Sequence, residues 1–235
     1  FVDIKEDTFN IDPEKIKEKV NKNTAAIMPV HFAGQSCEMD EIMEIAEEHN
    51  LKVIEDSAEC IGGTFDNKKT GSFDIGCFSF FPTKNLTTGE GGMITSDNEE
   101  FIEKIKLLIA HGTVKEPNKN WYRDSVIPAY NFRMSNLNAA IGVEQLKKID
   151  WMNEQRRKHA DYYNKNIKIN ELELPVELKN CKHVYQMYVI KVDEKIRDKL
   201  LNYLRENGIE ASVHFDPPVH LQTYYKGNYN LPVTE

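Results

Sequence analysis

The sequence predicts an α/β protein, with a three-layer α/β/α domain over residues 1–150 and part of a small α+β domain over residues 151–235. One observation is a β-rich run over 24–32, a helical repeat over 39–50 and a second β-rich run over 51–55. Strands joined through a helix pair in parallel, so this βαβ unit predicts a mostly parallel sheet with helices on its faces. The other is length, since 235 residues suffice for one large domain and part of another.

The elements that follow extend the sheet and add a covering helix. Residues 74–81 predict a further strand, and residues 92–96 predict a short strand that returns antiparallel along it. Residues 98–110 predict an amphipathic helix because apolar side chains recur on one face, namely Phe101, Ile102, Ile105, Leu108 and Ile109.

The second half of the chain combines an irregular stretch with long helical patterns. Residues 111–131 contain glycine and prolines without a sustained period, which predicts a long loop with a functional role. From Ser135, a good N-cap, helical spacing continues to about Tyr163 and would link the two domains. The small domain is then expected to contain a strand over 184–192, a helix over 194–207 and a strand over 208–213.

Composition excludes several classes of protein. Apolar residues make up 40% of the chain and charged residues 29%, and no apolar stretch approaches the roughly 20 residues that a membrane helix needs. The net charge of −8 argues against a nucleic-acid surface, which usually shows a basic excess.

His214 and His220 lack a third ligand, so we expect no metal site. No C-x-x-C pair occurs, which predicts free thiols in a reducing cytoplasm at Cys37, Cys60, Cys77 and Cys181.

The candidate reactive residue is Lys84, which follows the predicted strand 74–81 and precedes a glycine-rich stretch. Asp56 directly follows the β-rich run 51–55. Ligands of open α/β sheets bind outside the carboxyl ends of the strands, so Lys84 and Asp56 can face one bound molecule. A lysine that condenses with an aldehyde and a carboxylate that keeps a pyridinium nitrogen protonated are the groups that pyridoxal phosphate (PLP) requires. The alternatives are a solvent-exposed lysine and a turn aspartate.

Seven blocks of sequence, in order along the first two-thirds of the chain, are informative: Ile11-Asp12-Pro13, Pro29-Val30-His31-Phe32-Ala33-Gly34-Gln35, Val53-Ile54-Glu55-Asp56-Ser57-Ala58-Glu59, Cys77-Phe78-Ser79-Phe80-Phe81-Pro82-Thr83-Lys84-Asn85, Gly89-Glu90-Gly91-Gly92, His111-Gly112 and Tyr130-Asn131-Phe132-Arg133-Met134-Ser135. Together they resemble the DegT/StrS family of PLP-dependent nucleotide-sugar aminotransferases, which has the aspartate-aminotransferase fold type I. The resemblance implies that the large domain is a PLP-transferase domain.

The resemblance also implies roles for individual residues. Lys84 would form the internal aldimine with PLP and carry a proton between the substrate's α carbon and the cofactor. Asp56 would pair with the pyridinium nitrogen, and the hydroxyl of Ser79 would bind the phosphate. Glu59 would lie near the cofactor ring and its 3′ oxygen, where relatives often carry Gln or His.

Two further positions imply a shared active site. In the family, the segment with Asn131 and Arg133 reaches into the neighbouring subunit, where the asparagine touches the phosphate, which implies a homodimer. Arg133 and His220 are candidate substrate contacts, the latter within a segment that shapes the nucleotide-sugar pocket in the family. His31 and His111 also match family positions, and for both a structural and a site role stay open.

The implied function is transfer of an amino group, with L-glutamate as the expected donor, to a keto-deoxy sugar carried on a nucleotide, for surface polysaccharide or glycoconjugate synthesis. One alternative is a PLP-dependent dehydratase, in which histidine usually replaces the lysine found here as Lys84. Another is a truncated or non-catalytic paralogue with a structural or regulatory role. The family pattern implies that a leading part before Phe1, which normally contributes to the cofactor site, and a smaller part after Glu235 are absent.

Overall fold

The computed structural model of the protein describes residues 1–225 and 227–235. The helices are α1 (Pro13–Lys19), α2 (Met39–Glu48), α3 (Glu99–Leu108), α4 (Asn136–Leu146), α5 (Ile149–Asn166) and α6 (Glu194–Glu206). The strands are β1 (Ala26–Ile27), β2 (Lys52–Asp56), β3 (Thr64–Phe65), β4 (Lys68–Lys69), β5 (Ile75–Ser79), β6 (Gly92–Ser96), β7 (Thr113–Glu116), β8 (Lys119–Ser125) and β9 (Cys181–Lys182).

The central sheet has the strand order β1-β2-β5-β6. β1, β2 and β5 run parallel, whereas β6 returns antiparallel along β5. Both the mostly parallel sheet and its antiparallel return were predicted, and they confirm the α/β class. The parallel register places Asp56 beside Cys77, so β2 and β5 end at the same edge of the sheet.

Helix α2 covers one face of this sheet with an apolar stripe at helical spacing. Its buried side chains pack against the buried side chains of β1 and β2, and this cluster includes Ile27, Met39, Ile42, Ile45, Ala46 and Val53. Burial of each larger apolar side chain contributes about 1.5–3 kcal/mol, so the sheet edge that carries Asp56 rests on a well-packed core.

Side-chain caps fix where several helices begin. Asp12 accepts the N–H of Glu14 at 2.9 Å, and Pro13 occupies the first position of α1, where its missing N–H costs nothing. Asn98 accepts the N–H of Phe101 at 3.1 Å and caps α3. Ser135 caps α4 as the sequence predicted.

The stretch 111–131 is not the irregular loop that the sequence predicted. β7 and β8 form an antiparallel hairpin whose turn contains Pro117 and Asn118. Thr113, Val114, Trp121 and Tyr122 favour strands, but charged residues and the turn separate them into short runs, so the sequence shows no sustained pattern and the hairpin was not predicted.

The long helix predicted from Ser135 to Tyr163 is two helices, α4 and α5. At the break, the N–H of Lys148 bonds the carbonyl of Gln145, so the last turn of α4 tightens to i, i+3 spacing before α5 begins at the buried Ile149. Among the described residues, no helix is both long and apolar enough to cross a membrane.

Three predicted strands are shorter than expected or do not form. In 24–32 only β1 is a strand, because Pro29 has no N–H to continue the ladder. Residues 184–192 bond the turn 32–34 instead of a strand, with the N–H of Val184 on the carbonyl of Gly34 at 2.8 Å. Residues 208–213 find no partner strand in the described part of the chain.

The region 151–235 contains the predicted helix α6 and contributes β9 to a small sheet of order β4-β3-β9. Since β3 belongs to the first half of the chain, this sheet ties the two regions together. The domain boundary at residue 150 stays a prediction.

Candidate active site

The carboxyl edge of the central sheet carries two of the predicted site residues. Asp56 ends β2 and Ser79 ends β5. Asp56 is in register with Cys77, and residues two apart on a strand share a face, so Asp56, Cys77 and Ser79 lie on one face of the sheet. Parallel strands end at the same edge, which is why the sequence predicts that Asp56 and Lys84, which follows β5, can face one bound molecule.

Asp56 is half-buried, and its Oδ1 accepts the N–H of Ala58 at 3.1 Å. The pKa of the Cys77 thiol is raised, first by burial and then by the negative charge of Asp56. A carboxylate therefore lies on this face, and its negative charge would stabilise a cation bound beside it.

Ser79 Oγ accepts the N–H of Phe81 at 3.3 Å. Because this contact uses the oxygen as an acceptor, the hydroxyl proton is available to an anion. This is the property that a phosphate-binding serine needs.

Lys84 follows β5 in a turn, where its N–H bonds the carbonyl of Phe81 at 3.0 Å. Its Nζ lies 3.3 Å from Oε1 of Glu59, and the two side chains are only 17% and 12% exposed. The lysine therefore does not extend into solvent. It faces a carboxylate located just beyond the end of β2.

Glu59 is the residue on which several segments converge. Its Oε2 accepts the N–H of Ala33 at 2.9 Å, from the turn after β1. Nε2 of His214 lies 4.0 Å from Oε1 of Glu59, and among the described residues this buried nitrogen makes no hydrogen bond. A carboxylate, an amine and an imidazole from three distant parts of the chain thus meet at one point.

Asn131 and Arg133 are located away from these contacts. Asn131 forms an isolated bridge with Ala110, and both Asn131 and Arg133 are exposed. The neighbouring rings of Tyr130 and Phe132 stack at 4.7 Å and are also exposed. This part of the chain therefore presents polar and aromatic side chains outward.

His220 is buried, with Nε2 located 3.2 Å from Oε1 of Glu235 and its ring near those of Phe1 and Tyr229. Its role as a substrate contact stays a prediction.

Of the two histidines whose roles were open, His31 has a structural environment. Its Nδ1 accepts the N–H of Cys37 at 3.1 Å, so Nε2 carries the proton and donates to Glu55 at 3.0 Å, and both side chains are fully buried. His111 is exposed and has a left-handed backbone with φ of 62°.

The sequence analysis did not identify the residues whose hydrogen bonds hold the turn that carries Lys84. Asn85 Nδ2 donates to Asn153 Oδ1 at 2.7 Å and to the carbonyl of Val184 at 3.2 Å. Gln186 Nε2 donates to the carbonyl of Thr83 at 2.9 Å. These partners are far away along the chain, and no local pattern identifies them. The sequence analysis considered His214 only as a possible metal ligand and as part of a segment that the family resemblance singled out.

The fold and this site define an α/β protein with a half-buried lysine beside a carboxyl edge that carries carboxylate and hydroxyl groups. The chain belongs to the DegT/DnrJ/EryC1/StrS aminotransferase family, whose family model matches residues 1–235. This confirms the resemblance inferred from the seven blocks.

Several relatives illustrate the family. The chain is 41% identical to the spore coat polysaccharide biosynthesis protein SpsC of Bacillus subtilis, covering 97% of this chain and 62% of that protein. It is 39% identical to GDP-perosamine synthase of Caulobacter vibrioides, covering 93% and 59% respectively. The structure is similar to PseC of Helicobacter pylori, an aminotransferase involved in pseudoaminic acid biosynthesis, with a TM-score of 0.90 and 30% identity over 96% of this chain and 61% of that one.

The likeness to PseC confirms the predicted fold type. The chain nevertheless spans less than two-thirds of the length of these relatives.

Proposed function

We propose that the protein is a PLP-dependent aminotransferase that moves an amino group from an amino acid, L-glutamate, to a keto-deoxy sugar linked to a nucleotide. The observation that carries this proposal is the half-buried amine of Lys84 next to the carboxyl edge where Asp56 and Ser79 end their strands. The nucleotide sugar is supported by the relative named GDP-perosamine synthase, and a role in surface polysaccharide synthesis by SpsC.

The residues present fit PLP in their chemistry. The cofactor has an aldehyde, a pyridine nitrogen and a phosphate, which match an amine, a carboxylate and a hydroxyl donor respectively. Two buried polar atoms beside these groups, Ser57 Oγ and His214 Nε2, have no hydrogen-bond partner among the described residues. Buried polar atoms are normally paired, so this hydrogen-bonding capacity is what a polar ligand would use.

Each residue has a distinct role in this proposal. PLP, when bound, acts as the electron sink that stabilises negative charge at the carbon losing its proton. Asp56 would hold the pyridine nitrogen in its protonated form, and the hydroxyl of Ser79 would donate a hydrogen bond to the phosphate. Lys84 would hold the cofactor through its amine, and the same amine would take and return the proton at the substrate carbon as a general base and then a general acid. Glu59 orients the Lys84 amine from 3.3 Å.

The proposed assembly is a homodimer with shared sites, in which Asn131 reaches the partner's phosphate site and Arg133 its substrate. The exposed apolar side chains of α4 and the start of α5 support it, namely Leu137, Ile141, Val143, Leu146 and Trp151. A helix with apolar side chains around its circumference and none of them buried in its own chain is typical of a helix that another surface covers. His220 is proposed as a support of the substrate loop 214–222.

We place the reaction in the cytoplasm. The cysteines of the described chain are free thiols, which is typical of a reducing compartment. Burial raises the pKa of Cys60 well above its usual value and that of Cys181 to about 12, so both thiols stay protonated and unreactive at neutral pH.

The proposal is tested by measuring 2-oxoglutarate released from L-glutamate when PLP and a panel of nucleotide keto-sugars are supplied. We expect release with at least one sugar, and loss of activity by about a hundredfold or more in Lys84→Ala, because a general base contributes that much. Lys104→Ala, on the exposed side of α3, is the matched control and should keep full activity. Equal turnover in wild type and Lys84→Ala would refute the catalytic role of Lys84, and no release by wild type with any sugar would favour the non-catalytic alternative.

A further inference from the structure

Gln186 lies outside the predicted site but contacts two turns that support it. Its side-chain Nε2 donates to the carbonyl of Thr83, the residue before Lys84, at 2.9 Å. Its backbone N–H donates to the carbonyl of Ala33, also at 2.9 Å. One residue therefore ties the turn that carries the lysine to the turn after β1.

These contacts continue through Glu59 and close a ring. The N–H of Ala33 donates to Oε2 of Glu59 at 2.9 Å, and Oε1 of Glu59 lies 3.3 Å from Nζ of Lys84. The ring passes from Lys84 to Glu59, Ala33, Gln186 and Thr83 and returns to Lys84 through the peptide bond. The amine and the backbone of Lys84 are thus held by the same set of bonds.

The backbone of Gln186 is itself fixed. Gly34 has φ of +102°, and a Cβ at this position would lie 2.9 Å from the nitrogen of Gln186, so the two segments touch where only glycine fits. Arg156 on α5 donates to the carbonyls of Tyr185 and Gln186 at 3.2 and 3.1 Å. The side-chain amide of Gln186 is therefore a donor presented from a rigid base.

The side-chain oxygen of Gln186 supports this orientation of the amide. Oε1 of Gln186 is buried without a hydrogen-bond partner among the described residues. A buried acceptor without a donor is costly, and the orientation with Nε2 toward Thr83 is kept because the opposite one would place two oxygens together.

We propose that Gln186 is a positioning residue for Lys84, holding the Thr83 carbonyl with its side chain and, through Ala33, the carboxylate that faces the lysine amine. The lysine is then presented at one place before any ligand binds. This inference rests on the proposed function, because it concerns how Lys84 meets the cofactor. Gln186 itself makes no contact with Lys84 and is not assigned a chemical step.

The test compares how fast the apoprotein captures PLP, followed by the absorption band above 400 nm that marks PLP bound to lysine. Gln186→Met keeps the length of the side chain but removes its donor, and we expect capture about fivefold slower because one neutral hydrogen bond is lost. Gln155→Met on α5 is the same exchange away from the ring and should match wild type. Thermal unfolding of each variant shows whether the fold is retained.

A second variant separates positioning from general destabilisation. Gln186→Glu places a carboxylate against the Thr83 carbonyl, so it should capture PLP more slowly than Gln186→Met at pH 8. A general loss of stability would lower the Tm of both Gln186 variants together with their capture rate, whereas the positioning role predicts slower capture at the wild-type Tm.

The outcomes distinguish the two proposals. If wild type forms the band and both Gln186 variants capture PLP at the wild-type rate, the positioning role is wrong and the proposed function is unaffected. If wild type forms no band, the result contradicts the proposed function, on which the positioning role depends. Slower capture at the wild-type Tm, more marked in Gln186→Glu than in Gln186→Met, supports the positioning role, and slower capture that only follows a lowered Tm contradicts it.

Discussion

We predict that the buried side chain of His183 makes the stability of the protein depend on pH. His183 is 3% exposed, and its ring stacks on that of Tyr185 at 3.9 Å. Its pKa is lowered from 6.5 to about 3, mainly by burial and then by the positive charge of Arg157. Nδ1 accepts the N–H of Tyr185 at 3.0 Å, which requires that nitrogen to be unprotonated.

The direction of this pH dependence follows from the difference in proton binding between the unfolded and the folded protein. In the unfolded chain His183 binds a proton below pH 6.5, whereas the folded protein resists protonation down to about pH 3. The stability that His183 contributes by staying neutral is therefore fully present above pH 6.5 and is lost as pH falls from 6.5 to about 3. Between pH 7 and pH 5 the difference in proton binding should lower the free energy of unfolding by about 2 kcal/mol.

The assay is urea unfolding at pH 7 and pH 5 for wild type and His183→Asn. Asparagine keeps an acceptor for the N–H of Tyr185 but does not titrate, so the variant should lose about 2 kcal/mol less than wild type over this range. His49→Asn, at an exposed position, is the control and should follow wild type. The same pH slope in wild type and His183→Asn would refute the reasoning.

Two further substitutions test the framework of the site. Glu55→Gln should destabilise the protein by about 1–3 kcal/mol in urea unfolding, because the fully buried carboxylate accepts from His31, from Gly71 at 2.6 Å and from Phe73 at 2.7 Å, and an amide NH₂ cannot accept. Glu47→Gln, exposed on α2, is its control, and equal stability of the two variants would contradict this account. Gly112→Ala should lower stability by about 1–3 kcal/mol, since φ is +61° and the added Cβ would meet the carbonyl of Ile127. An unchanged Tm would show that the backbone relaxes freely there.

Much of the fold could be predicted because its signals are local. Asn98 and Ser135 each begin a helix where expected, since a cap needs only the residues beside it. The edge position of Asp56 followed from the end of its strand alone. These features depend on a few neighbouring residues, which a sequence displays directly.

The remaining features depend on partners far away along the chain. The hairpin of β7 and β8 forms because two short segments pair across a turn, and their strand-forming residues are too few in each segment to show a period. Residues 184–192 alternate like a strand, yet they bond an irregular turn. The contacts of Glu59 with His214 and of Gln186 with Thr83 join residues more than a hundred positions apart, so no spacing rule could identify them.

The most direct test of the account is the absorption spectrum of the protein with PLP, before and after addition of L-glutamate, in wild type, Lys84→Ala and the control Lys104→Ala. We expect wild type and Lys104→Ala to form a band above 400 nm that glutamate depletes as the cofactor takes up the amino group, and Lys84→Ala to form no such band. The same band in Lys84→Ala, or none in wild type, would contradict the assignment of Lys84 as the residue that binds the cofactor.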